Sequence, residues 1–175
     1  MNKLYEFDYH AWALEQAEKI RFQQWESIDI ENLVEELESL ARSERKELVN
    51  RLGKLLGHLL KWEYQPNHGS NSWVGTIREQ RRHIKRLLQQ NPSLKPFIPE
   101  AVQQGYEDGV DLAVQETNLP DSTFPKNCPY TSEQIGDTEF YPERDHALKT
   151  FVVFLRAFPG QKIEGFKVLT SSNRL

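Results

Sequence analysis

The chain has 175 residues, and its 22 basic and 26 acidic side chains give a formal net charge of −4 at pH 7. This length predicts one compact domain, and a composition with 38% hydrophobic and 11% aromatic residues excludes a disordered chain. The longest uninterrupted apolar run, from Phe151 to Leu155, is too short for a membrane-spanning helix, and the single cysteine, Cys128, excludes an internal disulfide and a cysteine-rich metal site.

The first predicted helix begins after Asp8, whose carboxylate can cap it. The helical pattern continues to about Phe22. Three of its apolar residues, Trp12, Leu14 and Ile20, are expected to be buried.

The second predicted helix carries the strongest periodic signal in the sequence and begins after Asp29, another capping residue. Its apolar residues recur every three or four positions and stay in phase at about 100° per residue. They are Ile30, Leu33, Val34, Leu37, Leu40, Ala41, Leu48, Leu52, Leu55 and Leu59. This pattern predicts one long helix over roughly residues 30 to 64, which ends before a loop that contains Pro66.

Two further helices are predicted, over residues 73 to 90 and about 100 to 116. One face of the later helix carries only small residues at four-residue spacing, namely Ala101, Gly105, Gly109 and Ala113. Each mid-helix glycine costs about 1 kcal/mol relative to alanine. We therefore expect another helix to approach this face closely.

The remaining sequence gives weaker signals. Residues 131 to 134, Thr-Ser-Glu-Gln, have the form of a capping box and predict a short helix. Residues 143–175 carry a net charge of +3, opposite in sign to the rest of the chain. Their apolar residues fit a fifth helix, although Phe151 to Phe154 are equally compatible with a strand. We expect a helical bundle domain over residues 1–142 and a C-terminal extension over 143–175.

Several short motifs occur in a specific order within residues 5 to 142. They are Tyr5-x-x-Asp8-x-x-Ala11-Trp12, Asp29-x-Glu31-Asn32-Leu33-x-Glu35-Glu36-Leu37-Glu38, Ser43-Glu44-Arg45, His58-Leu-Leu-Lys-Trp62-x-Tyr64-Gln65-Pro66, Ser72-Trp73-x-x-Thr76-Ile77 and Asn91-Pro92-Ser93-Leu94-Lys95-Pro96. With them the chain resembles a bacterial family of helical proteins catalogued as domain of unknown function twenty-nine. The resemblance implies an all-helical fold and no assigned activity. Gly69 departs from the family, which often has an arginine there. The predicted fold class is therefore an all-α, antiparallel bundle of four to five helices with one long central helix.

Cofactor and metal chemistry find no support in the sequence. The five histidines are His10, His58, His68, His83 and His146, and no two of them have the i, i+4 spacing of a helical zinc pair. No glycine-rich phosphate loop, nucleophile elbow or dinucleotide fingerprint occurs. We predict no metal and no cofactor, and an ordinary thiol at Cys128.

Two clusters of charge have both an ordinary and a functional interpretation. Acidic residues lie at the start of the long helix, namely Glu31, Glu35, Glu36 and Glu38. In the ordinary interpretation these carboxylates face water and complement the helix dipole. The alternative is that they hold a hard cation. Basic residues on the third helix include Arg78, Arg82 and Lys85 on its outward face. This face is predicted to be solvated or paired with acids, and binding of nucleic acid is the alternative.

A stripe of polar side chains runs beside the apolar face of the long helix. Glu44, Arg51 and His58 follow one another at seven-residue steps, and Trp62 comes one turn later. Buried charges require partners, so ion pairs between helices are the favoured interpretation. The alternative is a functional pocket bounded by these four residues.

The sequence predicts a non-catalytic helical binding or protein-interaction module, which uses apolar surface of the long helix or of the C-terminal extension and binds another protein or itself. The alternative is an enzyme or a nucleic-acid-binding protein, in which His58 acts as acid or base and Glu44 orients it. In that case Arg51 or Arg78 would hold an anionic substrate. We expect a cytoplasmic location, since no basic and apolar leader begins the chain, and no membrane contact.

Overall fold

A computed structural model describes residues 3–65 and 71–143, and within these residues every regular element is helical. The α-helices are α1 (Lys3–Phe7), α2 (Tyr9–Arg21), α3 (Ile30–Tyr64), α4 (Asn71–Gln90), α5 (Ile98–Thr117) and α6 (Ser132–Gly136). Short 3-10 helices lie at Trp25–Ser27, Pro92–Phe97 and Asp121–Thr123. The predicted all-α bundle with one long helix is confirmed.

The predicted helix starts agree with local hydrogen bonds. The Asp8 carboxylate accepts a hydrogen bond from the Ala11 amide at 3.0 Å, and the Asp29 carboxylate accepts one from the Asn32 amide at 3.5 Å. The predicted capping box is present: the Thr131 hydroxyl accepts a hydrogen bond from the Gln134 amide, and the Gln134 side chain accepts one from the Thr131 amide. Helix α1 was not predicted, because five residues are too few to show a helical period.

The described residues fall into two compact units, the first ending at Leu48 and the second beginning at Val49. Helix α3 passes from one unit into the other. In the first unit the side chain of Glu36 accepts hydrogen bonds from the hydroxyls of Tyr5 (2.6 Å) and Tyr9 (2.9 Å). Trp12 is buried, contacts the Tyr5 ring edge to face, and donates to the Asp29 carboxylate at 3.2 Å. These contacts hold α1 and α2 against one side of the first half of α3.

In the second unit the helices run up, down and up. Arg51 of α3 bonds to Gln80 of α4, while ten residues later Lys61 lies over Trp73, so α3 and α4 are antiparallel. Helices α3 and α5 run in the same direction, because residues 53 and 57 approach residues 105 and 109 respectively. The leucines of α3 from Leu52 to Leu60 are almost completely buried in this bundle.

The expected close approach at the small residues of α5 is confirmed, and its partner is a second pair of glycines on α3. A Cβ atom at Gly105 would lie 2.9 Å from the backbone nitrogen of Gly53 and 2.9 Å from the carbonyl oxygen of Val49. A Cβ atom at Gly109 would lie 3.0 Å from the nitrogen of Gly57. Backbone thus packs on backbone, which compensates for the low helix propensity of glycine.

Arg81 of α4 anchors the irregular C-terminal part of the described chain. It is only 4% exposed. Its guanidinium donates to four backbone carbonyls, at Ile135 (3.0 Å), Phe140 (2.8 Å), Gln134 (3.3 Å) and Thr138 (3.4 Å). Its centre lies 5.6 Å from the centroid of the Tyr141 ring. One side chain therefore organises residues 134 to 141, which contain little regular structure of their own.

The burial predicted for the first unit is wrong in part. Trp12 is buried, but Leu14 and Ile20 are exposed. In the first half of α3 the apolar residues Ile30, Val34, Leu37, Leu40 and Ala41 are exposed as well. The periodicity identifies the apolar face of a helix correctly, but it contains no information about how many helices are present to cover that face.

Some predictions concern residues outside the described ranges. They include the loop over 66 to 70 and the fifth helix after Pro142, so the domain boundary at residue 142 stays a prediction. No helix in residues 3–65 and 71–143 is long and apolar enough to cross a membrane.

Replacing Gly105 with alanine should destabilise the protein by roughly 1 to 3 kcal/mol, because the new methyl group would overlap with backbone atoms of α3 that cannot move aside alone. Gly75 is the matched control, since it lies within α4 and its Cβ would meet nothing within 4 Å. Gly75→Ala should stabilise the protein by about 1 kcal/mol through helix propensity alone. Denaturant unfolding measures both. Equal effects of the same sign would contradict the close helix contact.

Arg81→Lys should destabilise the protein by about 2 kcal/mol or more, because an ammonium group keeps the charge but cannot reach four carbonyl acceptors in a fixed planar arrangement. Arg82→Lys changes an exposed neighbour on the same helix and should stay within about 0.5 kcal/mol of wild type. The midpoint of denaturant unfolding reports both values. Similar midpoints for the two variants would argue against the anchoring role.

Candidate functional site

The four residues of the predicted polar stripe have different neighbours. Glu44 is half-buried in the first unit, whereas Arg51, His58 and Trp62 belong to the second. The guanidinium of Arg51 donates to the side-chain oxygen of Gln80 at 3.3 Å, and the Trp62 ring lies 5.1 Å from that of Tyr141. A pocket shared by all four residues stays a prediction.

Lys61 is the polar residue that links the helices of this region, and its sequence context does not distinguish it from a surface lysine. Its side chain is 1% exposed, and its ammonium group forms an ion pair with Glu116 of α5. The ammonium also lies 3.5 Å from Nδ1 of His58 and 4.4 Å from the centroid of the Trp73 ring. A buried ammonium group needs such partners, because desolvation without them is costly. The polar cluster formed by Lys61, His58, Glu116 and Trp73 thus joins α3, α4 and α5.

His58 is held in its neutral form in this cluster near neutral pH. Burial, reinforced by the positive charge of Lys61 and opposed by Glu116, lowers the pKa of His58 to about 4. The imidazole is therefore neutral at pH 7 and cannot serve as a proton donor there. It has the environment of a structural residue beside a buried cation.

A second buried polar pair lies near the end of α3. The Tyr130 hydroxyl donates to the Glu63 carboxylate at 2.6 Å, and both side chains are buried. Burial and the adjacent carboxylate raise the pKa of Tyr130, so the hydroxyl remains a donor. Burial also raises the pKa of the Cys128 thiol, which reduces its thiolate fraction and supports the prediction of an ordinary cysteine.

An open cavity of about 720 Å³ lies along the second half of α5 and the segment that follows it. Its lining is both apolar and charged and consists of Tyr106, Glu107, Val110, Asp111, Asp121, Ser122, Phe124, Pro125 and Lys126. The Tyr106 hydroxyl donates to the Pro125 carbonyl at 2.8 Å, and burial raises the pKa of Tyr106. None of the site residues predicted from the sequence lines this cavity.

The basic residues predicted to face outward do so. Arg78, Arg82 and Lys85 are exposed, whereas Arg81 on the same helix is buried and bonded to carbonyls. In the part of the chain that the structure describes, no three histidine, cysteine, aspartate or glutamate side chains are grouped to hold a metal ion.

The first unit exposes many large apolar side chains to water. Within residues 3–65 and 71–143, the exposed large hydrophobic residues lie between positions 7 and 40, and they are Phe7, Tyr9, Leu14, Ile20, Phe22, Trp25, Ile30, Val34, Leu37 and Leu40. Four of them form a row along α3, with exposed fractions of 63% (Ile30), 48% (Val34), 61% (Leu37) and 62% (Leu40). We call this row the open apolar face of α3. Because monomeric proteins rarely leave large continuous apolar surface in water, it is the strongest candidate for a binding surface.

Comparisons with known proteins agree with the resemblance seen in the sequence. The model of a family described as domain of unknown function DUF29 matches residues 4–141. No curated protein and no solved structure matches the chain.

The low pKa of His58 predicts a specific pH dependence of stability. Between pH 6.5 and about 4 the unfolded chain binds a proton at His58 and the folded chain does not, so this residue lowers stability as the pH falls through that window. His58→Gln should therefore lose less thermal stability between pH 7 and pH 5 than wild type. His10→Gln, which changes an exposed histidine of α2, should behave as wild type. An unchanged pH dependence in His58→Gln would contradict the buried, neutral imidazole.

Proposed function

The chain belongs to the DUF29 family of domains of unknown function, and we propose that it is a non-catalytic protein-interaction module. Its binding surface is the open apolar face of α3, together with the exposed apolar residues of α2 and the turn that follows it. The partner is a polypeptide that presents an apolar helical surface of its own. The observation that carries this proposal is the contrast between the two halves of α3.

Both halves of α3 carry the same apolar periodicity, but only one is covered. Leu48, Leu52, Leu55 and Leu59 are at most 2% exposed, whereas Ile30, Val34, Leu37 and Leu40 are 48% to 63% exposed. A side chain of this size contributes roughly 1.5 to 3 kcal/mol when it is moved from water into an apolar environment. Covering the open face with a partner would therefore provide a substantial driving force.

The open face is also held in a fixed orientation. The tyrosine hydroxyls of α1 and α2 donate hydrogen bonds to the Glu36 carboxylate. The Trp12 side chain donates a hydrogen bond to the Asp29 carboxylate, and the Asp29 backbone amide donates one to the Gln16 side chain. Glu36 and Asp29 lie on a side of α3 adjacent to the apolar row, so α1 and α2 brace the helix and leave the row open. A preorganised surface loses little conformational entropy on binding.

The buried polar groups of the second unit support a structural role rather than catalysis. Lys61 forms an ion pair with Glu116, and Glu63 accepts a hydrogen bond from Tyr130. The Arg81 guanidinium donates hydrogen bonds to backbone carbonyls. Each group thus has partners that the fold needs. For nucleic acid, the outward basic residues of α4 form a short stripe on a chain with a net charge of −4, which favours at most weak, salt-sensitive binding.

Site-specific photocrosslinking in cells that make the full chain tests the proposal. A benzophenone amino acid at Leu37 lies on the open apolar face, and the same group at Ser39 lies on the opposite side of α3. We expect a discrete polypeptide adduct from position 37 and none, or much less, from position 39. Absence of any adduct at position 37, or equal labelling from both positions, would argue against a binding surface here.

A further inference from the structure

We propose that the cavity along the second half of α5 binds a linear aliphatic polyamine. The ammonium groups of this ligand contact carboxylates at the edge of the cavity, and its methylene segments contact the apolar interior. The cavity has a volume of about 720 Å³, which is a typical size for a small-molecule site. It belongs to the second unit alone, so this inference is independent of the open apolar face of α3 and of the proposed function.

The interior of the cavity is apolar. Tyr106 and Phe124 line it and are each only 4% exposed, so their rings form its inner part. Val110 and Pro125 add further apolar lining and are half-buried. Transfer of methylene groups from water to such a surface is favourable. The interior therefore selects a ligand with an aliphatic body.

The wall opposite α5 is held in place by contacts of its own. The Tyr106 hydroxyl donates to the Pro125 carbonyl at 2.8 Å, which ties the segment after α5 back to that helix. The Phe124 ring packs edge to face on the ring of Tyr64 in α3, with centroids 5.2 Å apart. Because both walls are fixed by the fold, the cavity exists before a ligand arrives, and binding costs little conformational entropy.

The edge of the cavity is acidic. Three exposed lining residues, Glu107, Asp111 and Asp121, carry carboxylates, whereas Lys126 is the one basic residue of the lining. In the described part of the chain, none of the three carboxylates takes part in an ion pair or accepts a hydrogen bond. A local charge of −2 beside an apolar interior attracts cations and disfavours anions.

The separation of the carboxylates favours an extended cation over a metal ion. A calcium ion needs several oxygen ligands that converge on one point. Among residues 3–65 and 71–143, no three acidic, histidine or cysteine side chains are grouped in that way. A matching cation therefore carries its charges at several points along its length. A linear polyamine does so, since its ammonium groups are separated by short methylene segments.

A lysine-rich peptide offers similar ammonium groups but fits the interior less well. Its backbone amides require hydrogen-bond partners when they leave water. The interior offers mainly aromatic rings and aliphatic side chains, and the Pro125 carbonyl already accepts the Tyr106 hydroxyl. A free polyamine carries no such amides.

Titration calorimetry of the full chain with spermidine, at constant ionic strength, tests the proposal. We expect saturable binding of one spermidine per chain. Asp111→Asn should weaken it roughly three- to five-fold, the effect of losing one exposed ion pair. Asp108→Asn removes the same charge from an exposed position of α5 outside the lining, so its affinity should stay within about two-fold of wild type. Circular dichroism checks that both variants fold.

Lys126→Gln provides a test in the opposite direction. Removing the one positive charge of the lining should strengthen spermidine binding by roughly two- to five-fold. Lys95→Gln removes the same charge from an exposed position outside the lining and should leave the affinity unchanged. Damage to the fold cannot explain an increase in affinity. Unchanged or weaker binding in Lys126→Gln would overturn the assignment of the cavity.

A second ligand tests the need for several charges. Hexylamine has an aliphatic body and a single ammonium group, so it should bind at least about ten-fold more weakly than spermidine. Equal affinities of the two amines overturn the polyamine proposal, as does the absence of saturable spermidine binding up to about 1 mM. Equal losses in Asp111→Asn and Asp108→Asn would indicate general attraction to an acidic chain. Binding of a lysine-rich peptide without binding of spermidine would identify a macromolecular ligand instead and overturn the proposal.

Discussion

The contact between four glycines determines the register of the second unit. Where α3 and α5 meet, backbone atoms replace side chains, so the two helices cannot slide without forcing a Cβ atom into a backbone. The pairs 53 and 105, 57 and 109, and 65 and 117 are all separated by 52 residues, and the last pair is joined by a hydrogen bond from the Gln65 side chain to the Thr117 carbonyl. The same register brings Glu116 to Lys61. The ion pair is therefore a consequence of the glycine contact.

The two units differ in their buried polar groups and in their exposed apolar surface. In the second unit, Lys61, Glu63 and Arg81 are buried and each has a specific partner, and such pairs discriminate between alternative packings as well as stabilising one of them. Lys61 with Glu116 and Glu63 with Tyr130 connect α3 to segments more than fifty residues away. The first unit has a small core around Trp12 and leaves most of its apolar surface in water.

The sequence predicted the positions of the main helices well, but it did not predict which residues pack against each helix face. Helix α3 was predicted to within a residue because its apolar period persists for more than thirty positions. The small row on α5 was predicted to meet a helix, but Gly53 and Gly57 went unnoticed because they lie within a strongly leucine-rich pattern. Lys61 and Arg81 resemble ordinary surface cations in sequence, and only the fold brings acceptors to them. Leu14 and Ile20 were predicted to be buried, but they are exposed, because the first unit has only a small core around Trp12.

The Arg81 anchor has a consequence for the order in which the chain folds. Its four acceptors lie 53 to 59 residues further along the chain, so the guanidinium can be satisfied only after α5 has formed and returned the chain to α4. Docking of residues 134 to 141 on α4 therefore depends on contacts between segments that are distant in the sequence. In the native protein the reverse step, release of this segment from one arginine, exposes few apolar side chains compared with separation of α3 from α5. This segment should consequently behave as an opening unit of its own, with amide hydrogens that exchange faster than those of the leucine-rich half of α3.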